Sequence, residues 1–259
     1  MAEILEPVRD RATLATLDAL ALRHRAASGV GMQILAYVGG SAESLLGKLP
    51  TPVRGGLEEA TARALEMAFG AAERSRGVVD DRPDWMNRAL ATAMGAAGGF
   101  GGLPGALAEL PLTVTVLMRA IQGIAAEYGF DPASDEARLE VLRVFASAGP
   151  LEQDDGTDMA FMTARVTITG ASLHGLISKV APKLATVLGQ KLAAQAAPVL
   201  GAVAGAAVNY AFTGYYQEIA HVHFGLKRLV QDSGADEGLL REELRARIEA
   251  VSGRQRPAK

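Results

Sequence analysis

Long runs without charge are the feature that most constrains this chain. Between Arg88 and Arg119 the only charged side chain is Glu109, and much of the remaining sequence is glycine and alanine. A second uncharged run covers residues 192–217 and ends just before a group of polar residues. Apolar segments of this length are not left in water, so both runs predict core helices or a surface that contacts an apolar partner.

Small residues recur in both runs at intervals of four, which places them on one face of a helix. The second run shows this spacing at Ala197, Gly201, Gly205 and Asn209. The first run shows it at Gly95 with Gly99 and at Gly98 with Gly102. Small side chains allow two helix backbones to approach closely. The spacing predicts closely packed, glycine-rich central helices within one molecule, which we favour, or between copies in a homo-oligomer.

Composition favours an all-α protein. Hydrophobic residues make up 49% of the 259 residues but aromatic residues only 5%, so alanine, leucine and valine supply most of the apolar content. Alanine and leucine are strong helix formers. A chain of this length can bury a substantial core, and we expect one compact multi-helix domain. Two short β-branched runs, residues 113–116 and 166–169, lie inside longer helical patterns.

Charge and cysteine content exclude several classes of function. The formal net charge is -3 and no block of like charges occurs, so nucleic acid is not expected as a partner. The absence of cysteine excludes disulfides and thiolate catalysis, and it fits a cytoplasmic protein. The N-terminal sequence is charged and interrupted by Pro7, unlike a signal peptide.

Membrane contact stays open at this stage. Both uncharged runs exceed the roughly 20 residues that cross a bilayer core. Their glycine and proline content, including Pro104 and Pro198, weakens the transfer free energy that a spanning helix needs. We favour a buried core, with peripheral contact at the inner face of the membrane as the next alternative and a spanning helix as the third.

Apolar spacing and capping residues divide the chain into helices. Five are expected most clearly, over residues 13–24, 53–74, 107–128, 135–148 and 236–251, the last of them amphipathic. The first should end near Gly29, the third at Gly129 as a left-handed cap, and Ser134 should cap the fourth. The expected organisation is an N-terminal helical segment packed on the core, the core itself, and a C-terminal helix with a tail, at residues 1–82, 83–234 and 235–259.

No catalytic signature is present in the sequence. The glycine cluster at residues 98–102 resembles a phosphate loop, but proline at position 104 breaks the pattern and no strand precedes it. Glu218 and His221 have the i, i+3 spacing used by di-iron helix bundles, yet the sequence contains no second Glu-x-x-His. We therefore predict no cofactor and no metal ion.

Polar residues embedded in apolar segments are better candidates for a ligand site or a polar core. They are Glu109, Arg119, Arg165, Asn209, Glu218, His221, His223 and Arg228. Arg119 stays charged at any accessible pH, so we expect it to pair with Glu109 or another carboxylate. Arg119 and the cluster from Glu218 to His223 are expected to lie in the interior or in a cleft rather than in bulk solvent.

Three blocks of the sequence together resemble the bacterial EcsC proteins. The blocks are residues 94–119, residues 159–168 with Arg165, and residues 190–229. In the last block Pro198-x-x-Gly201-Ala202, Asn209 and Glu218-x-x-x-x-His223-Phe224 occur in the family's order. The resemblance implies an all-helical fold without an agreed activity or established catalytic residues. The family is named after a gene that lies beside ABC-transporter genes, so the resemblance also implies an association with such genes.

Two hypotheses about function follow. The first is a non-enzymatic helical protein that binds an apolar small molecule, a lipid or a membrane surface, as an accessory to a membrane protein such as an ABC transporter. The second is a hydrolase or lipid-modifying enzyme in which a carboxylate or imidazole acts as base and arginines hold an anionic substrate. Convergence of the candidate side chains at one accessible place favours the enzyme, whereas burial as mutually paired ions favours the binding protein.

Overall fold

The structure is a computed structural model that describes residues 10–38, 46–76, 78, 80–81, 83–145, 173–195 and 201–253. These residues form eight α-helices and no strand, which confirms the predicted all-α class. The helices are α1 (Arg11–Val38), α2 (Thr51–Arg76), α3 (Asp84–Phe100), α4 (Gly102–Glu127), α5 (Asp135–Phe145), α6 (Leu173–Gln195), α7 (Gly201–Ser233) and α8 (Glu237–Gly253).

Helices α3 and α7 form the centre of the molecule and make its most extensive helix pairing. They run antiparallel, because Asp84 at the start of α3 contacts His221 in the second half of α7, whereas Gly95 contacts Gly205 near the start of α7. A methyl group built on Gly205 would lie 1.9 Å from the carbonyl oxygen of Gly95, and the reverse distance would be 2.2 Å. The two backbones are therefore in direct contact, as the four-residue spacing predicts for Gly205.

A second close contact folds α3 and α4 into a hairpin. Gly101 lies between the two helices, and a methyl group on Gly105 would lie 2.5 Å from the carbonyl oxygen of Gly98. Helix α4 then runs back along α3 and continues through Pro111 without interruption. Glycines of the first uncharged run thus serve two contacts of α3, one with α4 and one with α7.

The other helices surround this centre. Helix α1 packs along α7 and against α8, α2 packs on α4 and α6, and α5 contacts α4, α6 and α7. Leucine, isoleucine, valine and alanine from these helices form the apolar core, together with aromatic pairs such as Phe145 with Tyr216. Among the described residues α3 contributes no side chain to this apolar cluster. It buries Asn87, Ala91 and three glycines instead, so its contacts are made largely by its backbone.

Several local predictions are confirmed. Gly129 follows α4 with a φ of +83°, the left-handed conformation of a glycine cap. The Ser134 hydroxyl accepts a hydrogen bond of 3.2 Å from the backbone N–H of Ala137, as an N-cap residue does. Leu240 and Leu244 are fully buried on the inner face of the amphipathic helix α8.

Two predicted boundaries are wrong. Helix α1 continues past Gly29 to Val38, because a glycine inside a helix costs only about 1 kcal/mol and need not end it. Helix α4 begins at Gly102 rather than near residue 107, since Pro104 falls in its first turn, where proline is tolerated. The predicted end of α5 at residue 148, and every prediction for residues 146–172, lie outside the described residues. The three-part division of the chain stays a prediction.

Within the described ranges one helical segment, Leu103–Glu127 of α4, is long and apolar enough to cross a bilayer. Most of this segment is buried against other helices. The core helix of a soluble protein has the same length and composition, so the segment alone does not indicate a membrane span.

We predict that Gly205→Ala lowers the free energy of unfolding by about 1–3 kcal/mol, because the methyl group would collide with the backbone of Gly95 rather than with a mobile side chain. Gly55→Ala is the matched control, since a methyl group at this position of α2 would meet nothing within 4 Å. The control should gain about 0.5–1 kcal/mol from the helix propensity of alanine. Urea unfolding followed by circular dichroism measures both, and equal changes in the two variants would contradict the backbone contact.

Candidate functional site

A buried carboxylate lies where α3, α4, α6 and α7 meet. Oε1 of Glu109 accepts hydrogen bonds from the Thr113 hydroxyl, from the Asn209 amide at 2.6 Å and from the Lys191 ammonium at 3.4 Å. The Asn209 amide also donates to the carbonyl oxygen of Ala91 on α3 at 2.9 Å. We call Glu109, Thr113, Lys191 and Asn209 the Glu109 cluster, because all of them meet at this carboxylate.

The other oxygen of Glu109 fits against a glycine. A methyl group on Gly98 would lie 2.0 Å from Oε2, so a larger residue at position 98 would displace the carboxylate. Lys191 is fully buried, and burial lowers the pKa of its ammonium group, although the charge and hydrogen bond of Glu109 act in the opposite direction. The cluster contains a buried ion pair, and removal of one partner would leave the other charge buried without compensation.

A second carboxylate, Glu218, joins α1 and α3 to α7. Its Oε2 accepts a hydrogen bond from Arg23 at 2.9 Å, and its Oε1 accepts one from Arg88 at 3.2 Å. Arg88 also donates to the side-chain oxygen of Gln217. Arg23 is half-exposed, whereas Glu218 and Arg88 are largely covered. Two arginines on different helices thus share one carboxylate near the surface.

Beside this pair, Asp84 at the start of α3 contacts His221. Its Oδ2 lies 3.0 Å from Nε2 of His221, and Gln217 donates to its Oδ1 at 3.1 Å. Burial would raise the pKa of Asp84, but the hydrogen bond and charge of His221, with the nearby arginines, hold that pKa below its usual value. Asp84 is therefore ionised at neutral pH and orients the imidazole. We call this group the Glu218 cluster: Arg23, Asp84, Arg88, Gln217, Glu218 and His221.

A third carboxylate, Glu140 of α5, lies against another face of α7. It is within 2.7 Å of His223 Nε2, 2.8 Å of Lys227 Nζ and 2.8 Å of Arg143 Nη1. Burial would raise the pKa of Glu140, but the hydrogen bonds and charges of His223 and Lys227 outweigh burial and depress it far below its ordinary value. We call these four residues the Glu140 cluster. It fixes α5 to α7.

Arg119 has the carboxylate partner expected of it, but the partner is not Glu109. Its guanidinium lies 3.3 Å from Oδ1 of Asp81 and 3.4 Å from the carbonyl oxygen of Asp80. Because α4 runs unbroken through Pro111, the ten residues from Glu109 to Arg119 span about 15 Å along the helix. Of the two predicted alternatives, Arg119 therefore pairs with another carboxylate and not with Glu109.

The candidate residues do not converge on one site. They are divided among the Glu109 cluster (Glu109 and Asn209), the Glu218 cluster (Glu218 and His221), the Glu140 cluster (His223) and the separate Asp81 pair (Arg119). Side chains two positions apart in a helix point about 200° apart around its axis. His221 and His223 therefore face different neighbours although they are close in sequence.

Two further candidates fall elsewhere. Arg228 is half-exposed and pairs with Asp232 one turn further along α7, so it lies apart from the three clusters. An arginine at the edge of an amphipathic helix reaches water readily through its long side chain. Arg165 lies outside the described residues.

Three residues that organise these clusters were missed from the sequence. Lys191 falls on the buried face of α6 at helical spacing from Leu184 and Leu188, and this register is the signal that marks it as internal. Asp84 and Glu140 lie in ordinary helical segments, where a carboxylate is normally solvated. No local pattern distinguishes them, because their partners come from α7.

The chemistry of the clusters is that of ion pairs between helices. Glu109, Glu140 and Glu218 each contact at least one cationic side chain, and Asp84 contacts a histidine. In the part of the chain that the structure describes, no group of three or more His, Asp or Glu side chains is arranged to hold a metal ion.

The sequence of residues 80–229 matches the EcsC protein family. This span is more than half of the 259 residues and contains α3 to α6 with most of α7. The chain belongs to the EcsC protein family. Both uncharged runs and the Gly95–Gly205 contact lie inside the EcsC match, whereas Arg23 of the Glu218 cluster precedes it. No curated protein and no solved structure matches this EcsC chain.

We predict that Lys191→Met lowers the free energy of unfolding by about 3–5 kcal/mol, because it leaves the buried Glu109 carboxylate without its cation. The double variant Glu109→Gln/Lys191→Met should lose less than the sum of the two single losses, since contacting residues couple by about 0.5–3 kcal/mol. Arg63→Met, which breaks an exposed pair with Glu59, is the control and should change little. Additive losses at positions 109 and 191 would argue against a direct pair.

A second prediction concerns how the contribution of Glu140 to stability depends on pH. The folded-state pKa of Glu140 is depressed below its ordinary value of 4.5. The contribution of the ionised Glu140 to the free energy of unfolding is therefore complete above that pH, and it is lost progressively as the pH falls below it. The stability difference between the wild type and Glu140→Gln should therefore be larger at about pH 6 than at about pH 3. Urea unfolding at both pH values measures it, with exposed Glu58→Gln as the control. A difference that does not shrink in acid would contradict the assignment.

Proposed function

We propose that this EcsC-family protein is a non-enzymatic helical protein that binds an apolar partner, either a membrane surface or an acyl-chain molecule. The observation that carries the proposal is the absence of charged side chains from one end of the group formed by α3, α4 and α7. Internal carboxylates are held in ion pairs between helices, while α3, α4 and α7 bring their uncharged segments together at that end.

The paired charges favour a binding protein over an enzyme. A hydrolase built from these residues needs a base and an anion-binding arginine at one place. Both carboxylate oxygens of Glu218 instead pair with arginines, Arg23 and Arg88. The imidazole of His223 contacts the buried carboxylate of Glu140. Groups engaged in this way hold helices together, which is the behaviour expected of mutually paired ions.

The uncharged end gives the binding surface. It consists of residues 92–100 of α3, 102–108 of α4 and 201–208 of α7, which contain no charged side chain and no histidine. Phe100, the last residue of α3, is 87% exposed, and Val203, in the first turn of α7, is 62% exposed. Large apolar side chains that stay in water within an uncharged surface are typical of sites that contact lipid or an apolar ligand.

A role beside a membrane transporter at the inner face of the membrane belongs to the same proposal. Its support is the family's association with ABC-transporter genes. A peripheral protein with an apolar contact surface fits such an accessory role, and the accessory role requires no catalytic residues.

We expect the purified protein to float with phosphatidylcholine vesicles, or to retain an acyl-chain molecule that native mass spectrometry detects. Binding should persist at high salt, because contact between apolar surfaces is not screened by ions, unlike attraction between exposed charges. A protein that neither floats with vesicles nor retains such a molecule would contradict the proposal. Binding that disappears at high salt would also count against it, since it would depend on charge.

A further inference from the structure

We propose that the uncharged end is the surface that meets the membrane, so that the molecule stands on this end with the Glu218 cluster directed away from the lipid. The inference rests on the proposed function and adds a binding surface and an orientation to it. It commits to one partner, the surface of a phospholipid bilayer.

The contacts along α3 and α7 show that this pair of helices carries its charged side chains towards one end. Successive pairs along the two helices are Asp84 with His221, Arg88 with Gln217, Ala91 with Asn209, and Gly95 with Gly205. Within α3 and α7, charged side chains are confined to the first two levels of this ladder, while the buried Glu109–Lys191 pair of α4 and α6 lies beside the levels from Ala91 to Gly98. Beyond the third level, all residues of α3 up to Phe100 and of α7 back to Gly201 are uncharged.

The depth of the uncharged end matches shallow insertion. From Ala91 to Phe100 α3 rises about 14 Å without a charged side chain. Proteins that bind at the membrane interface bury their apolar surface about 5–10 Å deep. Crossing the roughly 30 Å hydrocarbon core would instead carry the Glu218 cluster into lipid. The charge distribution therefore favours a peripheral position over a span.

Large apolar side chains are exposed at both ends of α3, since Trp85 beside the Glu218 cluster is 66% exposed, but only those at the uncharged end lie in a segment without charge. Phe100 and Val203 lie at the tip, where they would reach the acyl boundary. Tyr210 and Leu112, next to the level of the Glu109 cluster, are 52% and 57% exposed. Tyrosine is enriched at membrane interfaces because its ring is apolar and its hydroxyl group is polar. The arginines that could be solvated by headgroups or water come further back, at Arg23 and Arg88.

A second copy of the chain is a poorer partner for this surface. Three helix ends, each about 10 Å across, present a surface area on the order of 250 Å² at the uncharged end. A stable protein interface takes about 800 Å² from each partner. A bilayer requires no complementary surface of that size, because each apolar side chain that enters lipid contributes independently.

The test compares two double variants in the full chain. Phe100→Glu/Val203→Glu places charges on the uncharged end, and we expect it to reduce partitioning to phosphatidylcholine vesicles by about tenfold or more. Leu22→Glu/Trp85→Glu is the matched control, because both residues are exposed and adjoin members of the Glu218 cluster. The control should bind within about twofold of the wild type. Exposed positions were chosen in both variants so that the fold is retained, which circular dichroism checks.

Orientation has an independent readout, because Trp85 is the only tryptophan in the sequence. In the wild type, vesicles should leave the emission of Trp85 unchanged. In Trp85→Phe/Phe100→Trp the tryptophan moves to the uncharged end, and its emission should shift to the blue when vesicles are added. The reverse pattern would overturn the orientation.

Failure of the inference differs from failure of the proposed function. If the wild type floats and Phe100→Glu/Val203→Glu floats equally well, the uncharged end is not the membrane surface, although the protein still binds lipid. If the wild type retains an acyl-chain molecule but does not float, the membrane inference fails while apolar binding stands. If light scattering shows a dimer that the same variant dissociates, and vesicles are not bound, the surface belongs to a second copy and the inference is wrong.

Discussion

The direct contact between the backbones of Gly95 and Gly205 determines how the rest of the molecule is arranged. Helices whose side chains interdigitate lie about 8–10 Å apart, and glycines on both sides permit a closer approach. Because nothing separates α3 from α7 here, Asn209 reaches both the carbonyl oxygen of Ala91 and the carboxylate of Glu109. The small residues therefore do more than pack, since they bring polar groups of different helices within hydrogen-bonding distance.

Helix α7 is the common member of all three clusters. Asn209 belongs to the Glu109 cluster, Glu218 and His221 bind α1 and α3, and His223 with Lys227 binds α5. Each cluster fixes at least one neighbouring helix against α7. Buried ion pairs of this kind add little net stability compared with apolar contacts of the same size, but an unpaired charge in any alternative packing is expensive. We infer that the clusters specify which helix docks on which face of α7.

The sequence predicted the features that depend on spacing within one helix. Four-residue periodicity identified Gly205, and local capping rules identified Gly129 and Ser134. Partners across the fold were not predicted, since they depend on how helices far apart in sequence are docked. Lys191 and Glu109 are 82 positions apart, and Asp84 and His221 are 137 apart. The same limit explains why the sequence left the carboxylate partner of Arg119 open, because the unbroken course of α4 past Pro111 decides that partner.

The separation of α3 from α7 along the chain has a consequence for the protein during its synthesis. Ala91 and Asn209, which are hydrogen-bonded in the folded protein, are 118 residues apart. At about 5–20 residues per second the ribosome needs about 6–24 s to add this length. For part of that time the α3–α4 hairpin has been synthesised without α7, and its glycine-lined face and the Glu109 carboxylate lack their partners. The closely fitted surface of the finished core is thus a surface that the nascent chain exposes until α7 follows.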